Sequence, residues 1–169
     1  MKNQEYFLQD LIITGKHARY IDKLWEKNKV YNSYIKTLYD LYVLAVVLGL
    51  RMGKTSKIDK IGDDKKTLQA GQMNNRRKEL SNLMILVLLV DETSNLEEIE
   101  KINRAFRGPN NDEEFESNVE LFNSYFRAGV EYLYEMLVER NEVVKSDGYV
   151  DARIQNIMNL ISTEIDYLG

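Results

Sequence analysis

Residues 49–56, GLRMGKTS, follow the apolar run LYVLAVVL and carry the glycines, lysine and hydroxyls of a phosphate-binding loop. Such a loop needs four residues between its first glycine and the Gly-Lys pair, so that its amides can wrap around the phosphates. Only Leu50, Arg51 and Met52 separate Gly49 from Gly53. The matching second half would be MILVLLVDE at 84–92, an apolar run ending in acids that could hold magnesium. A nucleotide-binding sheet needs several parallel strands, however, and after residue 95 every apolar pattern has helical spacing. Two buried helices, each followed by polar residues, account for both strings. A hydrolase using Gly53, Lys54 and Thr55 stands last among the functions weighed.

Other chemistry-bearing residues are scattered. His17 is the only histidine, and no carboxylate or nucleophile stands at a telling spacing from it, so a structural role is expected. Without cysteine, disulfides, thiolate metal sites and cysteine nucleophiles are excluded. No cofactor or metal is implied. Charge is segregated: Arg51, Lys54, Lys57, Lys60, Lys65, Lys66, Arg76, Arg77 and Lys78 face only three acids between 51 and 78, a net of +6. From 91 to 142 fourteen acids face five bases, a net of −9, within an overall −4. The nine bases are the candidate nucleic-acid contacts, because a polyanion would meet the first stretch and be repelled by the second. Clustered tyrosines at 31, 34, 39 and 42 could stack on bases, although beside an apolar stripe they read as core. Arg104, Arg107 and Arg127 lie beside apolar positions and are the candidate partner contacts; Glu100, four residues before Arg104, suggests an ordinary surface pair.

The elements that would hold these residues are helices. Ala18, Ile21, Leu24 and Trp25 predict a helix near 15–28. Asn32 or Ser33 could cap the next, with Ile35, Leu38, Leu41, Tyr42, Ala45 and Leu48 as its stripe. Ser94 with Glu97 predicts a capping box ahead of a helix whose buried side is Leu96, Ile99, Ile102 and Phe106, stopped by Gly108-Pro109. Asn111 precedes a long helix with a seam of Phe115, Val119, Phe122, Phe126, Val130, Leu133 and Leu137, suited to the core or to a copy of itself. A turn at Ser146-Asp147-Gly148 leads to a last amphipathic helix with Ile154, Ile157, Ile161, Ile165 and Leu168. The expected fold is all-α, a single-domain bundle of about six helices over 1–169. Residues 53–75, basic and poor in large apolar side chains, are expected to form a mobile connector that does not pack into the core. The two greasiest runs are about half the ~18–20 residues that span a bilayer, and no export signal is visible, so a cytoplasmic protein is expected.

The strings ITGKHARYIDKLW (13–25), YDLYVLAVVLGLRMGK (39–54), NRAFRG (103–108) and LFNSYFRAGVEYLYEML (121–137) resemble those of small helical proteins encoded beside bacterial phage-defence genes, including clusters for DNA phosphorothioation and related restriction. The resemblance implies a non-enzymatic accessory or adaptor subunit working with larger protein subunits of a defence complex. The expectation is therefore an adaptor that docks through helical apolar surface and touches DNA through its basic segment. A stand-alone DNA-binding module is the alternative, and a homo-oligomer is compatible with both.

Overall fold

The computed structural model describes residues 5–29, 33–140 and 152–166; Tyr31, Asn32, the turn at 146–148 and Leu168 lie outside them. Two helices cross at the centre. α2 (Leu38–Arg51) begins at Thr37, whose Oγ1 accepts from the Asp40 amide at 3.0 Å. Ser33 does not cap it, because its hydroxyl accepts from the Glu26 amide and donates to the Lys29 carbonyl, tying the preceding loop to itself. α6 (Asp112–Tyr134) begins at Asn111, whose side chain accepts from the Glu114 amide at 2.7 Å; Asp112, Glu113 and Glu114 meet the positive end of its dipole. A π-helical turn, Glu135–Glu139, closes it.

α2 and α6 approach until backbone meets backbone. A Cβ on Gly49 would stand 2.0 Å from the Tyr125 carbonyl oxygen, and one on Gly129 would stand 1.8 Å from that of Ala45. Small residues at such a crossing let helices pack closer than any side chain permits. Around it Leu41, Tyr42, Ala45 and Val46 of α2 meet Phe122, Phe126, Val130 and Leu133 of α6, all buried. From Phe122 to Leu137 the seam is therefore consumed inside the chain, so the expectation that this stretch could close against a copy of itself is corrected, while Phe115 and Val119 at its start are half-buried.

The remaining elements wrap this pair. β1 (Leu11–Thr14) runs into α1 (Gly15–Leu24), which is shorter than its pattern predicts because Trp25 is extended. β1 pairs antiparallel with β2 (Lys65–Leu68), Leu11 opposite Leu68 and Thr14 opposite Lys65. α3 (Ala70–Asn74) is separated from α4 (Arg77–Val90) by a break at Arg76, with φ −124° and ψ 29°. The basic trio 76–78 thus sits at a corner rather than inside one long helix. Leu80, Leu83, Met84, Val87 and Leu88 bury one side of α4, confirming the second greasy run as a helix. No helix among the described residues is long and apolar enough to cross a membrane.

α5 (Glu98–Arg107) departs from expectation twice. Its capping box is Glu97 with Glu100, three residues later than Ser94 with Glu97. The Asp91 carboxylate takes the Thr93 and Ser94 amides at 3.1 Å each, turning the chain before a helix can start. Its stripe also faces outward: Ile99 is 63% exposed and Phe106 66%, Leu96 and Ile102 are exposed with them, and only Ala105 of this helix is buried. α7 (Ala152–Asp166) turns Asn156, Ile157 and Leu160 inward and leaves Ile154, Met158, Ile161 and Ile165 exposed.

Candidate functional site

In GLRMGKTS the glycines end a helix instead of opening one. Gly53 has φ +60°, the left-handed conformation that closes helix C-termini. Its amide donates to the Leu50 carbonyl at 3.0 Å, and the Lys54 amide to the Gly49 carbonyl at 3.1 Å. The amides that a phosphate would need are already spent, at the negative end of the dipole, where anions are repelled. Gly49 serves the crossing with α6. The second string resolves likewise: Asp91 is buried, and its carboxylate accepts from Thr93 Oγ1 at 2.6 Å and Tyr125 Oη at 2.7 Å. Burial opposes ionisation of Asp91, but these hydrogen bonds outweigh it and hold the carboxyl below its usual range. No group of metal-ligating side chains stands among the described residues.

The connector is pinned by polar contacts, and its end is packed; the expectation that 53–75 stays out of the core is corrected. Leu68 and Met73 are fully buried. Ser56 donates its amide to the Ser124 carbonyl at 3.0 Å and receives Arg127 Nε on its own carbonyl at 2.7 Å. The Asp59 carboxylate accepts from the Lys16 amide at 2.6 Å, capping the start of α1, while Thr14 Oγ1 donates to the Asp59 carbonyl at 2.6 Å. Gly15 is required here, since a Cβ would meet Asp59 within 2.6 Å.

The tightest polar cluster joins α1, the connector and α6 at Glu131. Its Oε1 receives Ser56 Oγ at 2.5 Å, His17 Nε2 at 2.8 Å and Lys16 Nζ at 2.9 Å. Sequence reasoning missed Ser56 and Glu131 as partners of His17, because they are 39 and 114 residues away in the chain. A serine, a histidine and a carboxylate together invite a catalytic reading, which the geometry answers. In a nucleophilic triad the serine proton goes to one ring nitrogen while the acid holds the other. Here the acid and Ser56 share one nitrogen, Nε2, and Ser56 gives its proton to the acid. Burial pushes the His17 pKa down, only partly offset by Glu131, so the ring is neutral and donates Nε2–H. Burial also opposes ionisation of Glu131, yet the bonds from Ser56, Lys16 and His17 hold it below the usual range. The arrangement is a polar staple fixing the connector between two helices.

The candidate nucleic-acid residues divide into two sets. Arg51 pairs with Glu164, Lys66 with Asp22 and Arg77 with Glu5, while Arg76 lies 3.9 Å from both Asp40 and Glu79 and 5.0 Å over the Tyr39 ring. Lys54, Lys57, Lys60, Lys65 and Lys78 are exposed and make no ion pair among the described residues. Of the candidate partner contacts, Arg107 is exposed. Arg104 is half-buried, donating to Asn118 Oδ1 at 2.6 Å; Glu100 is spent on its own helix cap, so the expected surface pair between the two is replaced. Arg127 is withdrawn from any docking surface: it is 6% exposed and committed to Ser56 and Glu120.

Besides these exposed cations, two apolar ridges are presented outward. The ridge on α5 is anchored near the start of α6 through Arg104 and Asn118, and the ridge on α7 near its end, where Tyr132 Oη donates to Glu164 at 2.6 Å and Asn156 Nδ2 to the Leu137 carbonyl at 3.0 Å. Along a helix, Asn118 and Leu137 are separated by roughly 28 Å. Neither ridge could be distinguished in the sequence from a core-facing stripe. Comparison of the chain with protein-family models, with curated proteins and with solved structures finds no match.

Proposed function

We propose that this protein is a non-enzymatic adaptor that holds larger protein subunits through two apolar ridges, one at each end of α6. The carrying observation is the outward face of α5: Ile99, Ile102 and Phe106 fall at helical spacing, exposed, on a helix whose other side is packed on α4. Soluble surfaces scatter single apolar residues; a whole helical stripe left uncovered is the signature of an interface. The second ridge, Ile154, Met158, Ile161 and Ile165 on α7, supplies a separate contact, which suits a bridging subunit. The resemblance to proteins encoded with phage-defence genes makes a bacterial anti-phage complex the setting we favour, with its larger subunits as the partners.

The test is co-purification of the full chain from its host. The wild type should retain a defined protein partner, and a chain carrying Ile102→Ser with Phe106→Ser should lose it while keeping its helical circular dichroism. A wild type that purifies alone, or a partner retained by both this variant and Ile154→Ser with Met158→Ser, would remove the reading.

A second reading, contact with DNA, is favoured by the exposed, unpaired Lys54, Lys57 and Lys60 on the connector. Binding through them should weaken steeply with salt, and changing the three to Ala should flatten that dependence by about one unit of slope per lysine lost. Salt-independent binding, or none, would set this reading aside.

A further inference from the structure

We infer that the groove bounded by residues 5–11, α2, α3 and α6 is a binding site for a small, uncharged, largely apolar molecule carrying a hydrogen-bond acceptor such as a carbonyl oxygen. This site is independent of the adaptor ridges. The groove has a volume of about 610 Å³, and its walls include Phe7, Leu11, Met73, Phe115 and Val119, with Tyr42 and Asn123 as its polar lining from the central helices. Small-molecule sites commonly enclose about 300–1,000 Å³ of mostly apolar surface with a few convergent polar groups.

Three observations bear on its chemistry. Asn123 is only 8% exposed, and its Oδ1 accepts from Tyr42 Oη at 2.9 Å, while its amide N–H groups meet no acceptor among the described residues. These N–H groups are left to water at the groove, so an acceptor delivered by a ligand can take that water's place. Phe7 adopts φ +67°, a left-handed conformation rare for a bulky residue, with its ring set edge-on to Phe122 at 5.1 Å. Such local strain clusters at binding sites, where surrounding structure holds it. Charge then narrows the class. The rim acids are Glu5, paired with Arg77, and Asp10, which accepts from the Ala70 amide at 2.7 Å; no base lines the groove. An anion would be repelled, and a neutral molecule would not.

The experiment is titration of the full chain with Nile red, an uncharged dye that carries a ring carbonyl and fluoresces in apolar surroundings. A saturable one-site rise is expected. Val119→Trp, which fills the groove from its half-buried wall, and Leu8→Trp, which fills it from an exposed position, should each abolish the rise. Asn123→Leu should weaken binding about tenfold by removing the amide donors, and Ile102→Ser with Phe106→Ser should leave it unchanged. Should Val119→Trp fail to fold, Leu8→Trp decides, since Leu8 is 51% exposed. The inference is overturned by a folded wild type without saturable binding, by undiminished binding in the tryptophan variant that decides, by loss of binding in the α5 variant, or by full affinity in Asn123→Leu.

Discussion

α6 and α5 each carry apolar side chains at intervals of three and four, and the molecule uses them in opposite ways. The seam of α6 meets α2 so closely that Gly49 and Gly129 leave no room for a methyl group. The stripe of α5 is left largely to water: Phe106 is two-thirds exposed and Ile99 63%, Ile102 is partly covered at 39%, and Ala105 alone of that helix is buried. The difference lies in what supports each helix. α6 is held by apolar contact along most of its length, whereas α5 lies on α4 with only Ala105 buried and is fixed by polar contacts, among them Arg104 with Asn118 and Lys101 with the Asp91 carbonyl. One region is optimised for the folded monomer, and the other spends surface that the monomer alone gains nothing from.

The sharpest way to break the first region is Gly129→Ala. The new Cβ would meet a backbone carbonyl, which cannot rotate aside, so the helices must separate or bend. We expect a loss of about 3 kcal/mol or more, at the upper end of overpacking effects, measured by urea unfolding. A loss below about 1 kcal/mol would mean that the crossing yields more readily than its geometry indicates. Gly49→Ala should behave alike, because it meets the Tyr125 carbonyl at nearly the same distance.

This contrast also explains what could be read from sequence. The two greasy runs, the Asn111 cap and the acidic first turn of α6 were legible because each depends on neighbours within a turn or two. The direction of the α5 stripe was not, since periodicity identifies an apolar face without saying what covers it. The β1–β2 pairing was hidden for a different reason: LIIT and KKTL are four residues each and lie some fifty residues apart, so no local hairpin pattern links them. The staple at Glu131 was hidden likewise; His17, Ser56 and Glu131 meet only once α1, the connector and α6 have packed. A polar connector looked unattached because apolar content was the measure, when hydrogen bonds to Ser56, Asp59 and β1 hold it.

Glu131→Gln tests that attachment. A carboxylate receiving three donors becomes a neutral amide that must itself place two N–H groups. The expected cost is about 1–3 kcal/mol, again by urea unfolding, with faster hydrogen exchange at the Ser56 amide as a second sign. Unchanged exchange at Ser56 would show the connector to be held without the staple.

Acid should loosen the same staple in two stages. In the unfolded chain His17 takes a proton as pH falls through about 6.5, whereas burial keeps the folded ring neutral to lower pH. Below about 6.5 the unfolded state binds more protons, so stability present in full above that pH declines. Glu131, held below its ordinary 4.5, adds a second decline at more acid pH by the same sign. Urea midpoints measured from pH 7.5 to 5 should fall, and His17→Gln should flatten that stretch. A midpoint constant over this range in the wild type would mean that the imidazole is not buried neutral.

The smallest expected effect concerns α5. Ile99→Ser or Phe106→Ser removes a large apolar side chain, a change that costs several kcal/mol in a core, where transfer and cavity terms add. On α5 both terms nearly vanish: water already covers most of each side chain, and no neighbour is left facing a void. Stability should therefore change by no more than about 0.5 kcal/mol, the scale of ordinary surface substitutions, and solubility should improve as exposed apolar area falls. Thermal unfolding of the isolated chain measures it. A loss of 2 kcal/mol or more, core-like in scale, would place the ridge inside the monomer's own packing and erase the contrast with α6. A negligible change would leave the stripe of α5 with no task in the isolated chain, which is the condition an interface must meet.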